Sequence, residues 1–322
     1  MLLSRYFAPL LTSVTVFINA GPVYAQNFPS KPVRVVTAES GGAADLITRL
    51  VAQGIGGSLG QPVIVDNRGG SAVIPVEMVA KAAPDGHTVL LYSGGLWTLP
   101  MLRPSISWDA IRDFAPVTLV ARSPNVLVVH PSLPVSSVRD LIALAKARPG
   151  QLNYAEGTTG AMPHLAAELL KAMAGVDIVR VPYKGTALAL NDLIGGQVQL
   201  MFATAGGVAA QVKSGRLKAL AVTSAEPSTL LPGLTTVAAS GLPGYEAGTI
   251  FGVFAPAGTA GPVVTRLNQE IVQVLNRGEV KEKLFSIGVE AVGSAPAQLV
   301  SAIKTEVSKW GKVIRDAGIR AE

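Results

Sequence analysis

Strand-like and helix-like segments alternate along almost the whole chain, and this alternation limits the possible folds more than any other feature of the sequence. Short runs rich in Val, Ile and Leu, such as Pro32–Val36, Pro62–Asp66 and Thr88–Tyr92, are separated by segments with helical periodicity. This order is typical of βα units, whose strands form mainly parallel sheets covered by helices. The sequence therefore predicts an α/β protein.

A second series of such units begins at the strand Asn125–Val129 and continues to about Thr223. After Gly248–Pro256 the chain turns helical. Near its C-terminus, apolar residues recur at spacings of four, four, three and four: Leu299, Ile303, Val307, Trp310 and Ile314. These spacings place the five residues on one face of a long amphipathic helix, which must pack against a sheet or another helix.

The N-terminal segment, residues 1–25, has the features of a secretory signal peptide. Arg5 precedes an apolar run over residues 7–18, and Val23-Tyr-Ala25 places small residues at the two positions that a signal peptidase reads. The run is shorter than the ~20 apolar residues that a membrane-spanning helix needs. We therefore predict export, with cleavage before Gln26.

Composition argues against several classes of function. Cysteine is absent, which excludes disulfides, thiol catalysis and thiolate metal sites. The three histidines, His87, His130 and His164, are not spaced as metal ligands, so we expect no metal and no cofactor. The net charge of +6 comes without a basic run or interleaved aromatic residues, which predicts attraction of small anions and no nucleic-acid partner.

Signatures of enzymes are also poor. Ser301-Ala-Ile-Lys304 matches the SxxK motif of penicillin-interacting enzymes. The motif lies inside the predicted C-terminal helix, however, and its usual companion motifs are missing. We therefore expect a protein that is not an enzyme.

Two glycine-rich loops each follow a predicted strand and lead into a predicted helix. Glu39–Gly42 follows the first strand, and Glu156–Gly160 follows the strand Leu152–Ala155. Glycine lets the backbone approach a ligand closely, and the free N–H groups of a helix N-terminus favour an anion. Such residues also serve simply as helix caps. Two such loops at the carboxyl ends of strands nevertheless favour a ligand cleft.

Several separate motifs follow one another along the chain: Phe28–Arg34, Pro84–Gly86, Leu144–Gly150, Tyr154–His164, Tyr183–Gly185, Gly195–Val198 and Leu217–Ser224. With these motifs in this order, the chain from about Phe28 onward resembles the extracytoplasmic solute receptors of tripartite tricarboxylate transporters, the Bug or TctC family.

The resemblance implies a two-lobed periplasmic-binding-protein fold, similar to type II, with mixed, mainly parallel sheets and a ligand cleft between the lobes. It implies that lobe 1 comprises residues 26–122 and 251–322, and lobe 2 residues 123–250. Ser123-Pro-Asn125 and Gly241–Gly248 are candidate hinge segments, because the second is rich in Gly and Pro and both lie where the chain crosses between lobes.

Receptors of this family hold a small carboxylate largely through backbone groups and bridging waters. Carried over to this chain, the resemblance implies contacts from Ser40, Gly41, Gly42, Gly70, Ser71, Thr158, Thr159 and Gly160. Further candidates end strands at the same face: Ser93, Tyr183, Lys184 and Thr204. His164 is expected to bond either a ligand or a loop carbonyl. Asp45, at the N-terminus of the first helix, is expected to hold the loop.

Two glutamates depart from the family pattern and bear on the ligand. Relatives commonly have an aromatic residue and prolines where this chain has Ala38-Glu39-Ser40, and usually have serine where it has Glu156. If both carboxylates line the cleft, they oppose a dianionic ligand and favour a monocarboxylate, an amide or a zwitterion over a tricarboxylate. If both point to solvent, they have no such effect.

The sequence and its resemblance together predict a monomeric periplasmic receptor that binds a small organic acid or related metabolite. The predicted partners are the ligand and the membrane permease subunits of a tripartite transporter. An alternative is a sensory subunit that docks on a sensor kinase, and a secreted enzyme is a third reading.

Overall fold

The computed structural model describes residues 28–38, 40–69, 73–157, 159–316 and 318–319. The predicted signal peptide, residues 1–25, lies outside this part of the chain. Four predicted site residues also lie outside it: Glu39, Gly70, Ser71 and Thr158. No helix in the described part is long and apolar enough to cross a membrane.

Strands and helices alternate as the sequence predicts. The strands are β1 (Val33–Thr37), β2 (Val63–Asn67), β3 (Thr88–Tyr92), β4 (Phe114–Val129), β5 (Asn153–Glu156), β6 (Val179–Pro182), β7 (Leu200–Thr204), β8 (Lys218–Val222), β9 (Gly248–Pro256) and β10 (Glu290–Ala291). The helices are α1 (Ala43–Leu59), α2 (Val73–Ala80), α3 (Gly95–Leu102), α4 (Val138–Ala147), α5 (Met162–Ala174), α6 (Thr186–Ile194), α7 (Ala205–Lys213), α8 (Gly261–Leu275), α9 (Gly278–Ser286) and α10 (Pro296–Asp316).

The described strands form mixed sheets in the order β2-β1-β3-β9-β4-β7-β5-β6, with β8 and β10 also paired to β4. Parallel pairs join β1 to β2 and β3 in lobe 1, and β5 to β6 and β7 in lobe 2. The antiparallel pairs among these strands all involve β4 or β9. The predicted α/β fold with mixed sheets and two lobes is therefore confirmed, with parallel βα units on either side of two antiparallel connecting strands.

Strands β4 and β9 carry the chain between the lobes. From Phe114 to Pro124, β4 pairs with β9, and from Asn125 to Val129 it pairs with β7. The change of partner falls inside the predicted hinge segment Ser123–Asn125, and β9 begins at Gly248, where the second predicted hinge segment ends. The positions of the lobe boundaries remain a proposal, and this change of pairing partner supports them.

Asn125 ties the two crossing strands together. Its side-chain amide donates to the Ala247 carbonyl at 2.8 Å, and its side-chain carbonyl accepts from the Thr249 hydroxyl at 3.1 Å. Since all three residues are buried, these bonds satisfy polar groups that would be costly to leave unpaired. They also fix Thr249 at the point where β9 enters lobe 1.

Helix α10 packs against both lobes. Its first half buries Leu299 and Ile303 in a core with Leu96, whereas its second half buries Trp310 and Ile314 in the core of lobe 2. The predicted apolar stripe is thus buried at these four positions, while Val307 is 38% exposed. The second half of α10 therefore packs against the core of lobe 2, whereas the resemblance implies that the whole segment 251–322 belongs to lobe 1.

Candidate ligand-binding site

A cavity of about 620 Å³ lies between the two lobes. The loops that follow β1 and β3 line it from lobe 1, and the loops that follow β5, β6 and β7 line it from lobe 2. Open α/β sheets bind ligands at the carboxyl ends of their strands, where such loops meet. The volume is within the range of small-molecule sites.

Five helices of the described chain begin at this cavity: α1, α3, α5, α6 and α7. The lining residues at their first turns or N-caps are Gly42, Gly95, Met162, Gly185 and Thr204. No side chain in the described part of the protein caps any of these five N-termini with a hydrogen bond. Uncapped N–H groups and the positive ends of helix dipoles, from both lobes, suit the cavity to an anionic group.

The structure brings together most of the described residues that the sequence predicts for the site. Those that line the cavity are Ser40, Gly41, Gly42, Ser93, Glu156, His164, Lys184 and Thr204. The first-lobe glycine loop and the start of the second-lobe loop therefore belong to one cavity. Their contact with a ligand remains a prediction.

Three predicted residues in the described chain do not line this cavity: Thr159, Gly160 and Tyr183. The hydroxyl of Tyr183 donates to the carboxylate of Asp192 in α6 at 2.7 Å, so the polar end of Tyr183 is already hydrogen-bonded. Gly160 lies behind the lining and is hydrogen-bonded through both its N–H and its carbonyl group. The sequence placed these residues at the right strand ends but could not give the direction in which each one points.

Sequence reasoning also missed residues that line the cavity. They include Tyr92, Met162, Thr186 and Leu188, which adjoin the predicted loops, and Thr249, Phe251, Ser286 and Ile287, which come from distant segments of the chain. Thr249 and Phe251 lie on β9, and Ser286 and Ile287 lie where α9 ends. Position before a helix start could have indicated Thr186, but only tertiary packing brings β9 and the end of α9 to the cleft.

Asp45 holds the first-lobe loop as predicted from its place at the start of α1. Its carboxylate accepts hydrogen bonds from the Gly41 N–H at 2.9 Å and from the Asn67 amide at 2.9 Å, and it pairs with Arg49. Burial opposes ionisation of Asp45, but these bonds to Gly41, Asn67 and Arg49 outweigh it and hold its pKa below the ordinary value. The loop that begins α1 is thereby fixed before any ligand binds.

Glu156 lines the cavity, which is one of the two sequence-based alternatives, but its carboxylate is not a free charge there. Its side chain is 1% exposed and its Oε2 lies 3.2 Å from Nε of Arg180. Within the described part of the chain, neither carboxylate oxygen accepts a hydrogen bond. The carboxylate is therefore a buried, ion-paired group in the cavity wall, and its charge is compensated by Arg180.

His164 holds the second-lobe loop by a hydrogen bond to a backbone N–H group, whereas the sequence suggested a bond to a loop carbonyl or to a ligand. Its Nδ1 accepts a hydrogen bond from the Gly160 N–H at 3.1 Å, which requires that Nδ1 carry no proton. Burial lowers the pKa of His164 more than the nearby Glu156 and Glu168 carboxylates raise it. The imidazole is therefore neutral near pH 7 and acts as an acceptor for the loop.

The rest of the lining is largely apolar. Leu46, Leu188, Met201, Phe202 and Phe251 contribute to it, together with many alanines. Among the described lining residues, Lys184 is the one Lys or Arg, and it lies exposed at the start of the α6 loop. Among the described residues, the cavity thus combines helix N-termini suited to an anion with apolar walls and one exposed cation.

A cleft between two α/β lobes, with helix N-termini from both lobes opening onto one cavity that suits an anionic group, is the arrangement of a solute-binding protein. A sequence profile of the tripartite tricarboxylate transporter family receptor, TctC, matches residues 47–319. The chain belongs to this family, as its resemblance predicted. Membership of this family implies a periplasmic location.

Curated relatives match over almost the whole chain. A UPF0065 protein in the tcbD-tcbE intergenic region of Pseudomonas sp. strain P51 is 40% identical over 97% of this chain and 95% of the relative. Protein BugT of Bordetella pertussis is 37% identical over 97% of this chain and 98% of the relative.

Solved structures give the same result for the fold. R. palustris Rpa4515 with adipate is 38% identical, with a TM-score of 0.86 over 91% of this chain and 99% of that chain. The periplasmic binding protein BugD is 33% identical, with a TM-score of 0.85 over 92% of this chain and 100% of that chain. MatC from Rhodopseudomonas palustris with bound malate is 30% identical, with a TM-score of 0.84 over 89% of this chain and 100% of that chain.

Proposed function

We propose that this protein captures a small organic acid in the interlobe cavity and delivers it to the membrane permease subunits of a tripartite transporter. The observation that carries the proposal is the convergence of five uncapped helix N-termini, from both lobes, on one cavity of about 620 Å³. A carboxylate that bonds N–H groups of both lobes favours the arrangement in which the lobes are close together.

The proposed ligand is a small organic acid or related metabolite with an apolar body, and a monocarboxylate, an amide or a zwitterion is favoured over a tricarboxylate. The apolar walls suit the body of such an acid, and the described lining offers a single Lys or Arg side chain, Lys184. A tricarboxylate would bring two further charges that this lining does not balance, and removing them from water is costly.

A dicarboxylate of moderate length is the second ligand class. Relatives at 38% and 30% identity hold adipate and malate, both of which carry two carboxylates. In this chain the helix N-termini would bind one carboxylate and Lys184 the other. The charge of Glu156 no longer argues against such a ligand, because Arg180 compensates it.

Release of the proposed signal peptide before Gln26 would free the receptor in the periplasm. Membership of a transporter receptor family supports a permease partner. The alternative role, in which the liganded form docks on a sensor kinase, uses the same cavity and the same ligand. We also propose that the protein performs no chemistry on its ligand.

The proposal is tested by thermal unfolding of the purified protein with carboxylates, amino acids and pyridine carboxamides. A ligand at one hundred times its Kd stabilises the folded state by about 2.7 kcal/mol. At least one compound should raise the unfolding temperature by several degrees, and flat results across all three classes would overturn the proposal. Mass spectrometry of small molecules released on denaturation would identify a ligand retained through purification.

A further inference from the structure

Helix α3 of lobe 1 meets the start of α5 in lobe 2 through two reciprocal contacts, each made at a glycine. A Cβ on Gly160 would lie 2.5 Å from Leu99 Cδ2, and a Cβ on Gly94 would lie 2.6 Å from Met162 Sδ. Both distances are shorter than a Cβ tolerates. Each lobe therefore presents a glycine to a large side chain of the other lobe, directly beside the cavity.

The hydroxyl of Thr98 lies in the same contact and links the lobes by a hydrogen bond. It is 2.7 Å from the Gly160 carbonyl oxygen in lobe 2 and 2.9 Å from the Gly94 carbonyl oxygen, one turn earlier in its own helix. Thr98 is completely buried and does not line the cavity within the described part of the chain. It acts on the cavity only through the loop that it bonds.

A threonine hydroxyl has one proton, so at any moment it donates to one of these two carbonyl groups. When the lobes are together, the shorter distance to Gly160 favours the bond across the interface. If the lobes move apart, the hydroxyl donates to Gly94 instead, as threonines in helices commonly do. The donor is therefore paired in both arrangements, and separating the lobes leaves no buried hydroxyl unsatisfied.

Gly160 is also hydrogen-bonded to His164. Its N–H donates to the Nδ1 atom of His164, which lines the cavity, while its carbonyl accepts from Thr98. Gly160 therefore connects α3 of lobe 1 to the cavity wall of lobe 2 through one hydrogen bond on each of its two backbone polar groups.

We propose that Thr98 is a positioning residue, which fixes the second-lobe loop at Gly160 against α3 and so favours the lobe arrangement in which both lobes contact the ligand. This inference rests on the proposed function for the identity of the cavity as a binding site. Thr98 would influence the lobe arrangement without contacting the ligand, because it does not line the cavity.

The test compares Thr98→Val, which keeps the shape of the side chain but lacks the hydroxyl, with Thr98→Ser, which keeps the hydroxyl. We expect Thr98→Val to bind every carboxylate more weakly by a similar factor, about three- to tenfold, with the order of affinities unchanged. Thr98→Ser should bind within about twofold of the wild type. Thr98→Ala, a second variant without a hydroxyl, replaces Thr98→Val if that protein does not fold.

A second readout needs no ligand. Amide hydrogen exchange in the peptide that spans residues 157–164 should be faster in ligand-free Thr98→Val than in the wild type and Thr98→Ser. If the wild type binds no carboxylate, the proposed function fails, and this exchange measurement still decides the role of Thr98. Wild-type affinity together with wild-type exchange in Thr98→Val would overturn the inference, as would an equal loss in Thr98→Ser.

Discussion

The Oε2 atom of Glu156 lies 3.2 Å from the Nε atom of Arg180, on the neighbouring parallel strand of lobe 2. The glutamate side chain is 1% exposed and the arginine side chain 22% exposed. The carboxylate is therefore removed from water and needs Arg180 as its counter-ion, whereas the guanidinium group is still partly solvated. The pair places a compensated charge in the wall of an anion site. Its integrity therefore affects both folding and ligand preference.

Removal of Arg180 should destabilise the fold. Arg180→Met would leave the buried Glu156 carboxylate without its counter-ion, and we expect a loss of about 3 kcal/mol in the free energy of unfolding. Glu156→Gln keeps the shape of the side chain without its charge and should restore most of this loss in the double variant. Urea unfolding of the wild type, both single variants and the double variant measures the interaction. Additive effects would show that the two residues do not depend on each other.

Replacement of Asp45 should reduce stability in a pH-dependent way. Because the folded-state pKa of Asp45 is lowered, its contribution is present above the unfolded value near 4 and is lost as the pH falls through the folded value. Asp45→Asn should therefore be less stable than the wild type at pH 7, by about 1–3 kcal/mol, and the difference should shrink in acid. Urea unfolding between pH 3 and pH 7 gives this profile. A difference that stays constant with pH would contradict the assignment.

His164 should remain neutral at pH values where an ordinary histidine is already charged. Its folded-state pKa is lowered from 6.5, so its contribution to stability is complete above about 6.5 and is lost as the pH falls toward the folded value. Proton NMR of the ring signals can follow it, since the chain has three histidines and His164→Gln identifies its signal. A midpoint at or above 6.5 for this signal would be inconsistent with an imidazole that accepts from Gly160.

Lys184 should discriminate between acids with one and two carboxylates. Lys184→Gln removes the one Lys or Arg of the described lining, so adipate should bind about fivefold more weakly, whereas hexanoate should be almost unaffected. Lys184→Arg keeps the charge and serves as the control. Equal losses for both acids would assign Lys184 a role in the structure of the loop instead of in recognition.

The elements with strong local patterns were predictable from the sequence. The buried strands and the amphipathic helix α10 match their predicted positions closely, because apolar periodicity reports directly on the face that each element buries. Helix α3 was not predicted: it is nearly all apolar, contains Pro100 and has no polar face. Helix α7 was missed because Gly206 and Gly207 give it low helix propensity.

The site was likewise predictable only where local sequence patterns indicated it. Glycine-rich loops after strands located the cavity, since they are needed where a backbone must approach a ligand. The sequence could not show that Glu156 pairs with Arg180, because that contact depends on the register of β5 against β6. Nor could it place Thr249 or Ile287 at the cavity, which distant segments bring there.

Calorimetric titration of the purified protein with hexanoate, adipate and citrate, repeated on two tryptophan variants, tests the central claim most directly. Ala187→Trp fills the cavity from the exposed start of α6, and Ala172→Trp, on the exposed surface of α5 away from the lining, is the matched control. We predict one site per chain for hexanoate or adipate, little binding of citrate, loss of binding in Ala187→Trp and full binding in Ala172→Trp. Tightest binding of citrate, or unchanged binding in Ala187→Trp, would contradict the account.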